Sequence, residues 1–159
     1  MDGAAHLFGD DINTDYIISS RRKRDTVDPG KLARFLMEDI KQDFGQTVEE
    51  GDFIVAGRNF GCGSSMEIAP LVIRAAGIRA VLALSFGRIF FRNCINIGFP
   101  ALTCPTTRIQ EGDRLELNPA LDRVLIVNRG IELPINPLPE LCTEIIRVGG
   151  IIPYMKKLP

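Results

Sequence analysis

Phe53-Ile54-Val55-Ala56, followed by Asn59-Phe60-Gly61-Cys62-Gly63-Ser64-Ser65-Met66-Glu67, is the stretch from which the rest of the chain is read. The apolar run has the length and composition of a buried strand. After the glycine-rich loop, Ala69-Pro70-Leu71-Val72-Ile73-Arg74-Ala75-Ala76 has a helical pattern, and Gly77 stops it. Ala80-Val81-Leu82-Ala83-Leu84 reads as a second buried strand. Strand, loop, helix and strand in this order predict a βαβ unit with a parallel sheet. In such sheets the loop leaving the carboxyl end of a strand is the favoured ligand position. Gly61 and Gly63 give this loop backbone freedom and let a ligand approach closely. Ser64 and Glu67 have the spacing of a capping box, which predicts a helix start that offers free N–H groups to an anion. The same local features also describe a capped helix after a tight turn.

The bulk numbers bound the answer. A chain of 159 residues, 45% hydrophobic and 25% charged, predicts one domain over residues 1–159 with a real core. A net charge of −1 gives no electrostatic case for nucleic acid. No run approaches the roughly 18 apolar residues of a membrane span. The start, Met1-Asp2-Gly3-Ala4-Ala5-His6, lacks a secretory pattern. Cys62, Cys94, Cys104 and Cys142 form no C-x-x-C pair, and His6 is the only imidazole. That spacing argues against a zinc site, a self-contained iron–sulfur cluster or a disulfide framework, so no metal site is assigned to this chain. Reduced thiols in a cytoplasmic protein are the expectation.

Around this unit, residues 5–18 read as a first strand broken by a turn, with Gly9-Asp10-Asp11 and Asn13-Thr14-Asp15 as turn formers. Asp15 on its own reads as an Asx-turn residue. Ser19 to Thr26 carries Arg21, Arg22, Lys23 and Arg24 in a row, which by composition is a solvated basic loop. Asp28-Pro29 predicts a helix start, with Leu32, Phe35, Leu36 and Ile40 as its buried stripe. Ile89, Phe90, Cys94 and Ile97 keep helical spacing up to Gly98, and 99–103 reads as a third parallel strand. The last third alternates. Arg114–Asn118, Arg123–Val127 and Ile131–Ile135 predict a small antiparallel sheet. A final helix at about 137–148 presents Leu138, Leu141, Ile145 and Ile146, with a surface tail behind it.

Three separated motifs then carry a resemblance. They are Gly9-Asp10-Asp11-Ile12-Asn13-Thr14-Asp15, the loop Asn59–Pro70, and Ser85-Phe86-Gly87-Arg88-Ile89-Phe90-Phe91-Arg92-Asn93. In this order, over nearly the whole chain, they resemble the small subunit of 3-isopropylmalate dehydratase and homoaconitase. That subunit is similar to the swivelling C-terminal domain of aconitase. The resemblance implies an α/β fold of the swivelling β/β/α type, with a parallel βαβ core and a smaller antiparallel sheet.

It also implies a two-subunit hydro-lyase acting on a hydroxy di- or tricarboxylic acid, inactive without its large subunit. The large subunit of that family carries a [4Fe–4S] cluster. The best substrate reading is 3-isopropylmalate, in leucine biosynthesis. The alternatives are homoaconitate, a methylated malate such as dimethylmalate, and a non-catalytic relative that only binds a partner. By position the resemblance implies Ser64 and Asp15 as catalytic residues. Ser65 and Gly63 would bind substrate, with Arg21, Arg22 and Arg24 in the loop that meets its variable side chain. One position departs from the pattern. Where the family has an Arg that binds a substrate carboxylate, this chain has Met66, which offers no N–H donor. Three readings follow: another group grips that carboxylate, from Arg21–Arg24, Arg58 or Arg88; the substrate is smaller or more apolar at that end; or the chain has lost the usual activity. Cys62 also invites a reading as a thiol nucleophile, with His6 as the one available base.

Overall fold

The computed structural model describes residues 1–159. Seven strands are β1 (Gly3–Leu7), β2 (Phe53–Val55), β3 (Ala80–Ala83), β4 (Ala101–Thr103), β5 (Arg114–Leu117), β6 (Arg123–Ile126) and β7 (Ile131–Pro134). The helices are α1 (Thr14–Ile17), α2 (Pro29–Leu32), α3 (Phe44–Thr47), α4 (Ile68–Ala75), α5 (Arg88–Asn96), α6 (Glu140–Arg147) and α7 (Ile151–Lys156). All seven strands form one sheet in the order β4-β3-β2-β1-β5-β6-β7. Strands β1 to β4 are mutually parallel, and β5 to β7 run antiparallel. The antiparallel part is therefore continuous with the parallel part. β1 joins them, pairing parallel with β2 and antiparallel with β5.

The continuous apolar runs of β2 and β3 have a simple cause: both faces of these strands are covered. Ile54, Val81, Ala83 and Ala101 pack under α4 and α5 with Val72, Ile73, Phe90 and Cys94. The alternate residues Phe53, Val55, Ala80, Leu82 and Leu102 share a second core with Leu115, Val124, Ile126 and Leu133. The antiparallel strands thus curl over the face of the parallel strands that the helices leave open. Residues facing two cores cannot alternate with polar ones.

Several local expectations change. The turn expected at Asn13-Thr14-Asp15 extends into a helical turn over residues 14–17, so the strand does not resume at Tyr16; Asn13 accepts N–H bonds from Asp15 and Tyr16 and caps it. The helix expected from Asp28 onward lasts one turn. Asp28 does cap it, at 2.9 Å from the Gly30 N–H, and Ala33–Phe35 continues as a 3₁₀ turn. Met37 then takes a left-handed φ of 57°, which ends any helix, and Ile40 is exposed instead of buried. Helix α4 begins at Ile68, with Pro70 in its first turn where the missing N–H is harmless. Helix α6 is shorter than 137–148. Its Ile145 and Ile146 are buried, whereas Leu141 is exposed.

The expected tail contains α7. Pro153 lies in its first turn, and Ile151 and Tyr154 pack against the cluster of Ile95, Ile145 and Ile146. Its approach needs bare backbone on both sides. A Cβ on Gly98 would lie 2.4 Å from the Gly149 carbonyl carbon.

Candidate functional site

The three motifs singled out in the sequence meet at the carboxyl ends of β1, β2 and β3. The Gly61 N–H donates to the Ile12 carbonyl at 2.7 Å, and the Thr14 N–H donates to the Cys62 carbonyl at 2.9 Å. Phe60 N–H donates to the Ser85 carbonyl at 3.0 Å, and Gly87 N–H returns to the Phe60 carbonyl at 2.8 Å. The Thr14 hydroxyl donates to the Ser64 carbonyl at 2.9 Å. Thr14 is 2% exposed, so its hydroxyl has no water to bond instead. Asn59, itself left-handed at φ 60°, donates from Nδ2 to Asp11 and from its N–H to the Ser85 hydroxyl. Three loops distant in sequence are thereby held as one unit, with Asp15 and Ser64 on adjoining turns.

Gly61 has a geometric role. Its φ is +80°, and a Cβ there would lie 2.2 Å from Cγ of Phe90. Phe90 is buried and meets Phe60 edge-on, with ring centroids 5.3 Å apart. The loop therefore passes directly over an aromatic base, and only glycine fits between.

The expected capping box does not form. Glu67 is the N-cap of α4 in a helical conformation, without a side-chain cap, and Ser64 lies outside the helix. The loop runs on instead in irregular backbone. From Cys62 through Ile68, no N–H group donates to a backbone acceptor within the chain. Unpaired N–H groups in succession, ending at a helix start, form a region of positive potential suited to an anion. Gly63, Ser64 and Ser65 are exposed in its middle.

The remaining expected residues separate into groups. Asp15 is exposed, and its carboxylate accepts the Ser20 N–H at 3.1 Å, tying the start of the basic loop to the Asn-Thr-Asp turn. Arg21 donates to Glu38 at 3.2 Å and to Asp39 at 2.8 Å. Arg22 grips Glu38 with two N–H groups, at 2.8 and 3.0 Å. Arg24 is exposed and takes no part in these pairs. Met66 is half-buried and packs against the main core. Arg58 and Arg88 are both exposed. Arg58 lines a recess of about 380 Å³ with Leu7, Phe8 and Thr107. A larger recess of about 560 Å³ opens at the amino ends of β3 and β4, between Arg79 and Phe99. Neither recess is lined by Ser64.

A thiol nucleophile is not supported. Burial and then the Asp11 carboxylate push the Cys62 thiol above its usual range, the wrong direction for a thiolate. His6 is engaged elsewhere, with Nε2 2.8 Å from Asp52. No group of three or more His, Cys, Asp or Glu side chains in the chain could hold a metal ion. No helix is long and apolar enough to cross a membrane. Sequence reasoning gave Thr14, Asn59 and Phe90 no role in holding the site together. A threonine inside Asn13-Thr14-Asp15 carries no separate signal, because its partner is a carbonyl fifty residues away.

Comparison with known proteins gives a consistent picture. A family profile described as "Aconitase C-terminal domain" matches residues 25–107. The chain is 48% identical to 3-isopropylmalate dehydratase small subunit 2 of Archaeoglobus fulgidus, covering 99% of this chain and 95% of that one. It is 45% identical to the 3-isopropylmalate dehydratase small subunit of Moorella thermoacetica, over 99% and 95% of the two chains. Among solved structures, a 3-isopropylmalate dehydratase from Methanocaldococcus jannaschii superposes with a TM-score of 0.93 at 44% identity, covering 98% of this chain and 93% of that one. Aconitase X of Thermococcus kodakaraensis shares the fold, with a TM-score of 0.52 at 13% identity over 86% and 90% of the two chains. Fold and profile together define the class, an aconitase-type C-terminal domain. Within it, the chain belongs to the family of 3-isopropylmalate dehydratase small subunits.

Proposed function

We propose that this chain is the small subunit of a cytoplasmic hydro-lyase of leucine biosynthesis that dehydrates and isomerises 3-isopropylmalate. A large subunit would complete the active site. The observation that carries the reading is the run of unpaired N–H groups from Cys62 to Ile68 around the exposed Ser64. A serine hydroxyl is too weak an acid to serve as a base in water. Fixed N–H dipoles around its oxygen stabilise the alkoxide and make it one.

In this reading Ser64 Oγ takes the proton from the carbon next to the carbinol carbon, and it returns that proton in the hydration direction. Gly63 and Ser65 hold a substrate carboxylate through their N–H groups. Asp15, next in sequence to the Thr14 that donates to the Ser64 carbonyl, is the second catalytic group. Arg21, Arg22 and Arg24 border the substrate's variable side chain. The leaving hydroxyl needs a Lewis acid. None of this chain's residues fits a cluster, so we place the family's [4Fe–4S] cluster on the large subunit.

One observation favours a second reading of the substrate. Met66 is turned into the core where the family pattern has an Arg, so this chain has one guanidinium fewer for the substrate's far end. A smaller methylated malate, or homoaconitate held by the basic loop, fits that change. The test is anaerobic co-expression with the large subunit, followed by assay of unsaturated-acid formation from 3-isopropylmalate, homocitrate and 2,3-dimethylmalate. Activity should require both chains and fall by roughly 10²–10⁴ in kcat in Ser64→Ala. A stable complex without turnover on any of these acids would move the chain to a partner-binding role. A Ser64→Ala complex with unchanged kcat would remove the serine from the chemistry.

A further inference from the structure

The basic loop does not hang free. Its first N–H, on Ser20, is bonded to Asp15, and the Arg22 N–H turns back to the Ser19 carbonyl at 3.1 Å. Its side chains are held from the other side. Glu38 accepts three N–H bonds, one from Arg21 and two from Arg22, and Asp39 accepts a fourth. The Arg22 guanidinium also lies on the face of Phe35, 3.9 Å from the ring centroid. Isolated surface ion pairs stabilise little, but a bidentate guanidinium in a network, stacked on an aromatic ring, is the geometry that does. The Glu38 side chain is only 19% exposed.

The clamp is itself anchored. Glu38 follows Met37, which is fully buried and held at φ 57°. The Met37 N–H donates to the Ile17 carbonyl at 3.0 Å, at the end of the short helix that carries Asp15. A continuous bonded path therefore runs from Asp15 through Ile17, Met37 and Glu38 to Arg22, and back through Ser20 to Asp15.

We infer that Glu38, with Asp39 and Phe35, is a positioning residue that fixes the segment Arg21–Arg24 against the Asp15 turn before partner or substrate arrives. Arg21 and Arg22 spend their charge on Glu38 and Asp39, which leaves Arg24 as the arginine free to meet a ligand. The part of this inference that concerns substrate rests on the proposed function, in which this segment borders the substrate.

Two readouts separate the inference from that reading. The first is limited trypsinolysis of the isolated full chain, with cleavage after residues 21–24 followed by fragment mass. Glu38→Gln keeps the shape and removes the charge, and Phe35→Leu removes the stacking surface. Each should speed cleavage in this segment about tenfold, with other sites and the urea midpoint little changed. The second is the assembled enzyme on 3-isopropylmalate. Glu38→Gln should raise KM about fivefold and leave kcat within about twofold.

Unchanged cleavage in both single variants, or wild-type cleavage already as fast as in a free peptide, would overturn the clamp. A loosened segment with unchanged KM would keep the clamp and overturn its part in substrate binding. Trypsin decides the clamp even if the wild-type complex turns over none of these acids, an outcome that would count against the proposed function alone.

Discussion

Replacing Gly61 by Ala adds one methyl group at the point where the loop crosses Phe90. Two penalties combine. Gly61 sits at φ +80°, and an L-residue held in the left-handed region costs about 1–2 kcal/mol. The new Cβ would also stand 2.2, 2.5 and 2.6 Å from three atoms of Phe90, where ordinary contact begins near 3.4 Å. Phe90 has no room to swing away. It is 2% exposed, edge-on to Phe60 and stacked on Phe86 at 6.2 Å. Overpacking of this kind costs about 1–3 kcal/mol. The loss should therefore be about 2–5 kcal/mol, a drop of roughly 1–2 M in the urea midpoint with the m-value unchanged. Gly9 is the internal control, because nothing lies within 4 Å of a Cβ there. Gly9→Ala should stay within about 0.5 kcal/mol of the parent. In the assembled enzyme the backbone has to yield by about 1 Å just ahead of Ser64, which should lower kcat about a hundredfold. A Gly61→Ala midpoint equal to that of Gly9→Ala would refute the argument that Phe90 sets the height of the loop.

Two other outcomes follow from buried groups. Burial alone would raise the Asp113 carboxyl. Bonds from Arg129, Asn128 and the Gln110 N–H outweigh it and hold the pKa at about 2, below its ordinary 3.8. A depressed carboxyl stabilises the fold above its unfolded pKa and loses that contribution as pH falls through the folded one. About 2 kcal/mol should disappear between pH 4 and 2, and the urea-midpoint gap between wild type and Asp113→Asn should shrink over that window; a gap independent of pH would contradict this. Among the thiols, burial pushes Cys104 up to about 12 and Cys94 up as well, while Cys62 and Cys142 are partly exposed. Ellman's reagent on the native chain should therefore titrate Cys62 and Cys142 alone, and prompt reaction of a third thiol would show that one of the two cores opens.

The parallel unit was legible because its signals are local. The runs at 53–56 and 80–84 are apolar without alternation, since both faces are covered, and Gly77 marks the end of α4 within the same stretch. Alternation in 114–135 likewise showed the antiparallel strands. Features set by distant partners were not legible. The Asp28 helix ends after a turn because Met37 is drawn to Ile17, and no residue between them announces it. The capping spacing of Ser64 and Glu67 was misleading, because Thr14 holds the Ser64 carbonyl and the loop stays out of the helix. Helix α7 was missed because its docking depends on Gly98 meeting Gly149, two glycines that separately read as stops. At the site, the resemblance implied roles for Ser64 and Asp15, but the Thr14 contacts that bring their turns together were not legible. The row of four cations did not show which arginines were already taken, since Glu38 and Asp39 lie beyond the α2 turn.

The place of β1 in the sheet has a consequence for synthesis. It is synthesised before the other six strands, yet one of its edges stays open until Arg114 and Leu115 emerge to pair with Ala4 and Gly3. Until then the nascent parallel half also carries Phe53, Val55, Leu82 and Leu102 with their second face uncovered. An open strand edge beside uncovered apolar side chains is a template for pairing with another nascent copy. The last third of the chain, which contributes none of the assigned site residues, is therefore what closes that edge and covers that face.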